Sequence, residues 1–126
     1  MSSHIPESDW RHFKRVHNEL LERYCGRVLD ELAETLKSRD GSAHDRYVRA
    51  YNLLKERDED LVRAFDDFRR STAVMQLAIM RSMALLTDDD LSVFSRQTQE
   101  QVRGITSVVG AEPDGPANGS QPFRSE

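Results

Sequence analysis

The chain has 126 residues, 37% hydrophobic and 32% charged; that length fits one domain, and that balance suits amphipathic helices with broad polar faces rather than a large enzyme core. The formal net charge of -4 comes from 22 acidic and 18 basic residues. The signs are mixed, seven of each between Ala43 and Arg70, so no clustered basic footprint for nucleic acid stands out.

Met1 to Glu7 read as a flexible lead-in, with Pro6 just ahead of a helix that Ser8 or Asp9 can cap. Apolar residues then recur at helical spacing from Trp10 and Phe13 through Leu20, Tyr24 and Val28 to Leu32 and Leu36. His17 fills a gap in that stripe. Gly26 interrupts the helix and is expected to mark a close approach of two helices, because a mid-helix Gly otherwise costs about 1 kcal/mol relative to Ala. Cys25 cannot close an internal disulfide, and MSSHIPESDW lacks the basic and apolar regions of a secretory signal. The expected setting is the cytoplasm.

SRDGSAHD ends the first helix, with Gly41 suited to a left-handed stop and Ser42 with Asp45 forming a capping box for the second. That second helix has the strongest period in the chain. Tyr47, Tyr51, Leu54, Asp58, Leu61, Phe65, Phe68, Thr72, Met75, Ile79, Met83 and Leu86 follow each other in steps that alternate between four and three almost throughout, and no Gly or Pro intervenes between Ser42 and Thr87. The spacing predicts one helix to Leu86, with a kink near KERDEDL as the alternative. Folded back on the first helix, it sets Phe68 near Phe13, Phe65 near His17, Leu61 near Leu21 and Leu54 near Val28. Asp58 then falls near Tyr24, within reach of Arg23 or Arg27, and His17 and Asp58 are read as buried polar groups. In FDDFRR, Asp66 precedes Arg69 and Arg70 at ion-pair spacing.

The first helix runs out opposite Thr72, so STAVMQLAIMRSMALL, with Arg81 as its single charge, overhangs. Spanning a membrane takes about 20 apolar residues, more than this interrupted run supplies. A second copy of the chain is the most economical cover, making a four-helix core; an intramolecular cover and a groove for another protein are the alternatives. The expected interface residues are Met75, Ile79, Met80, Arg81 and Met83, with Phe94 as an anchor, and Arg81 is expected to pair with Asp88, Asp89 or Asp90. Thr87 and Ser95 can cap two short helices, the second reaching about Val108. From Gly110 the residues read as a disordered tail, leaving a single helical domain over 8–109.

Asp9 and His12 stand three apart only once, and no Gly-rich phosphate loop, nucleophile elbow, Cys-x-x-Cys or HExxH occurs. No catalytic residue, metal ligand or cofactor is assigned. The reading is an all-α, coiled-coil-like antiparallel hairpin with short C-terminal helices, acting as a non-catalytic protein-interaction module, homodimeric, cytoplasmic and without a membrane segment. A nucleic-acid-binding regulator using Arg11, Lys14 and Arg15 is the alternative, followed by a small helical metal protein or enzyme using His12, His17 and Asp58.

Overall fold

The computed structural model describes residues 5–109, so the tail expected from Gly110 lies outside the described residues. The fold is all-α. Its helices are α1 (Glu7–Lys37), α2 (Ala43–Phe65), α3 (Ala73–Ser82), α4 (Asp88–Ser92) and α5 (Arg96–Val109), with a 3-10 turn at Arg70–Thr72 and no strand among the described residues. Among the described residues, contacts gather the chain into two compact units, one over Val16–Asp66 and one formed by 5–15 together with 67–109.

The Val16–Asp66 unit holds the rest of α1 and all of α2, running antiparallel. His17 meets Phe65 with ring centroids 5.3 Å apart, the Tyr24 hydroxyl donates to the Arg57 carbonyl at 2.8 Å, and Arg46 Nε donates to the Ser38 carbonyl at 3.0 Å. The turn between the helices is built as its residues dictate. Gly41 has φ +84, a conformation that lacks a steric cost only for Gly, and the Ser42 hydroxyl accepts from Asp45 N–H while the Asp45 carboxylate accepts from Ser42 N–H, both at 3.0 Å.

The second helix does not continue to Leu86, and its break lies at 66–69 rather than near KERDEDL. Asp67 takes φ +58, a left-handed conformation that Asp tolerates better than most residues. Arg69 grips the Asp67 carboxylate through two hydrogen bonds of 2.6 and 2.9 Å, and Arg69 N–H donates to the Thr72 hydroxyl at 3.2 Å. Such short-range bonds offer the backbone an alternative to the helix ladder. Within FDDFRR an ion pair joins Asp67 to Arg69, and Arg70 reaches Glu7 at 2.9 Å and the Ile5 carbonyl at 2.8 Å. Ile5, within the expected lead-in, is fully buried.

Because the chain turns at 66–69, STAVMQLAIMRSMALL does not overhang. Within the unit of the two chain ends, α3 lies against α5 and buries Ala73, Val74, Leu77, Ala78 and Met80 on several sides. Phe68 packs on Trp10 and Phe13, at 5.0 and 5.3 Å between ring centroids. The helix stops in a Schellman arrangement: Leu85 N–H donates to the Met80 carbonyl and Ala84 N–H to that of Arg81, both at 2.9 Å, with Ala84 at φ +57. Thr87 and Asp90 then make a second capping box for α4.

Asp9 caps no helix of its own. It is buried and accepts from Ser95 N–H at 2.9 Å and from the Ser95 and Thr98 hydroxyls at 2.6 Å each. Ser95 in turn accepts from Thr98 N–H at 3.3 Å, so one carboxylate fixes the start of α5.

Candidate interaction surface

The face of α2 turned toward α1 carries Arg46, Ala50, Leu53, Arg57, Asp60 and Ala64, all buried or half-buried. At 3.6 residues per turn this face stands about 90° around the helix from the stripe of Tyr47, Tyr51, Leu54 and Asp58. Of the seam expected to meet α1, Phe65 does so at His17 and Tyr24, whereas Tyr47, Tyr51, Leu54 and Asp58 stay exposed beside it. Facing Tyr47, Tyr51 and Asp58 inward would instead take two hydroxyls and a carboxylate out of water, a cost that the exposed arrangement avoids.

Arg57 takes the structural role expected of Asp58. Its guanidinium makes a bidentate pair with Glu31, 3.0 Å for each bond, and both side chains are about one-third exposed or more. The hydrogen bond to Glu31 raises the Arg57 pKa further, and burial pushes the Tyr24 phenol up. Asp58, expected to be a buried polar group, is exposed. His17 is half-buried beside Phe65, and its removal from water lowers its pKa from 6.5.

Rotation of α2 leaves an apolar surface open. Leu29 is 61% exposed, Leu36 46%, Tyr47 68%, Tyr51 56% and Leu54 42%, all in the Val16–Asp66 unit. Helical geometry sets Leu29 and Leu36 on one flank of α1, one heptad apart, and the α2 stripe on the flank of the same side. Between them a groove of ≈ 230 Å³ is lined by Tyr24, Cys25, Val28 and Leu29 of α1 and by Leu54, Arg57, Asp58 and Leu61 of α2. Its walls are apolar, and its charged groups sit on α2 alone. Leu29 falls outside the apolar stripe read along α1 although it lies three residues before Leu32 and seven before Leu36.

The residues singled out for an interface are placed elsewhere. Met80 and Phe94 are core, and Ile79, Arg81 and Met83 are half-buried. Arg81 donates to Asp88 of its own chain at 2.7 Å, which lowers the Asp88 pKa. Met75 alone of the six is exposed, lining a second groove of ≈ 370 Å³ with Val74, Glu100, Gln101, Gly104 and Ile105. Much of the run is packed within the chain, where α3 lies against α5.

Other candidates have mundane surroundings. Gly26 marks no close approach within the chain: it is exposed, and a Cβ there would meet nothing within 4 Å. His12 packs edge-on against Phe94 and bonds Arg15 at 2.9 Å, Lys14 lies over Trp10 at 5.7 Å, and Arg11 is 3.7 Å from Glu7. Among the described residues, no group of three or more His, Cys, Asp or Glu side chains could hold a metal ion, and no helix is long and apolar enough to cross a membrane. Comparison with family models, with curated proteins and with solved structures gives no match.

Proposed function

We propose that the chain is a non-catalytic protein-interaction module that binds through the apolar face of its α1–α2 hairpin. One observation carries this reading: Leu29, Leu36, Tyr47, Tyr51 and Leu54 stand exposed on the two helices of the hairpin, with Leu29 and Leu54 lining one groove. Exposed patches of this kind, rimmed by polar residues, mark sites where another molecule is bound. The aromatic share supports it too, since Tyr offers a large, stiff contact area with a hydroxyl that stays hydrated until it finds a partner. The free Cys25 suits a reducing setting such as the cytoplasm.

The test is partner capture from cell extract on the immobilised full chain and on a Leu54→Glu variant. The proposal expects proteins held by the native chain to be lost with Leu54→Glu, while a Met75→Glu control retains them. Equal retention by all three would remove the hairpin face as the binding surface, and retention of nucleic acid alone, weakening steeply with salt, would favour the basic strip of Arg11, Lys14 and Arg15.

A further inference from the structure

Resting on that reading, we infer that the occupant of the hairpin face is a second copy of the same chain, packed face to face about a two-fold axis with the two α2 helices antiparallel. Each hairpin is half of a four-helix bundle, and two such halves complete one core. The five exposed side chains together offer on the order of 600 Å² of surface. A stable complex buries about 800 Å² per partner, so this face, with its half-buried neighbours and the stem of Lys55, supplies what a dimer needs.

Charge fixes the orientation. The exposed stripe of α2 carries two charges of opposite sign, Lys55 at its border and Asp58 within it. An antiparallel crossing centred between these positions sets Lys55 against the partner's Asp58 and Asp58 against the partner's Lys55, so both pairs form at once. A parallel crossing would set like against like. The same antiparallel crossing brings Tyr51 to the partner's Val62 and opposes the two helix dipoles head to tail. Gly26 also gains a reason: exposed on the outer side of Leu29, with open space where a Cβ would stand, it lets a neighbouring helix approach.

The experiment is light scattering of the full chain over a micromolar to millimolar series, with circular dichroism to check that every variant stays helical. The native chain is expected at twice its 14.5 kDa mass. Lys55→Asp and Asp58→Lys are each expected to weaken self-association about tenfold or more, through like charges brought face to face. Mixed in equal amounts they should pair with each other, because each then meets its opposite. A native chain that is monomeric throughout the series would overturn the second copy while leaving the hairpin face as a site for another protein. A dimer that Leu54→Glu breaks but whose charge variants do not recombine would overturn the antiparallel crossing. A dimer untouched by Leu54→Glu and broken by Met75→Glu would overturn the hairpin reading itself.

Discussion

His17 shows how one side chain couples this fold to pH. It sits half-buried against the Phe65 ring, where loss of hydration disfavours the imidazolium, so its pKa in the folded chain is below the 6.5 it has when unfolded. The sign follows from proton binding: between these two values the unfolded chain holds more protons, and stability rises with pH. The stability is whole above 6.5, is lost as pH falls from there, and the loss is complete once pH is below the folded value. Urea unfolding at a series of pH values should therefore show stability decreasing on acidification from neutrality, with a shallower decrease for His17→Gln; identical slopes would mean that His17 is as hydrated as in the unfolded chain. The sequence placed His17 opposite Phe65 correctly, because i to i+4 spacing on α1 and the length of the turn fix that pairing. Asp58 lies one heptad before Phe65 on the same side of α2 yet is exposed, because period alone does not set how deeply a charged position of that side is buried.

At the scale of the helix, the ends were the most legible features. Gly41, Ser42 with Asp45, Thr87 with Asp90, and Ser95 each act as their short-range chemistry dictates. Breaks without Gly or Pro were not legible. The steps of three and four from Phe65 to Phe68, Thr72 and Met75 persist across a broken backbone because Phe68 still has to be buried, against Trp10 and Phe13, whether or not the helix continues. The stop of α3 is the other such case, with Ala84 in a left-handed conformation where Gly is usual. A Cβ in that region costs roughly 1–2 kcal/mol, and part of the gain from removing it is offset by the greater freedom of Gly in the unfolded chain. Ala84→Gly is accordingly expected to stabilise the protein by about 1 kcal/mol, read as a higher urea midpoint at unchanged slope. A lower midpoint would place the end of α3 in a different conformation. Nothing local could have revealed Asp9, which meets Ser95 and Thr98 from the far end of the sequence; each such charge-assisted bond contributes about 1.5–3 kcal/mol.

For the whole molecule, composition and period together set the helical class, and the apolar richness of residues 71–86 was a true signal of burial. That burial is met within the chain to the extent that α3 packs on α5, whereas a straight helix past Phe65 would have left the run uncovered. Two chains of the same composition can hide different surfaces according to where one turn falls. Here the turn at 66–69 removes the overhang, and the rotation of α2 opens the tyrosine stripe in its place. Hydroxyl-radical footprinting of Tyr47, Tyr51 and Leu54 reads whether this stripe is covered in solution. Across a concentration series of the full chain, these side chains should become protected as association proceeds, while exposed Val93, outside the hairpin, keeps a constant rate. Modification of the three at a rate matching their exposure in the single chain, at every concentration and in cell extract alike, would contradict the proposal.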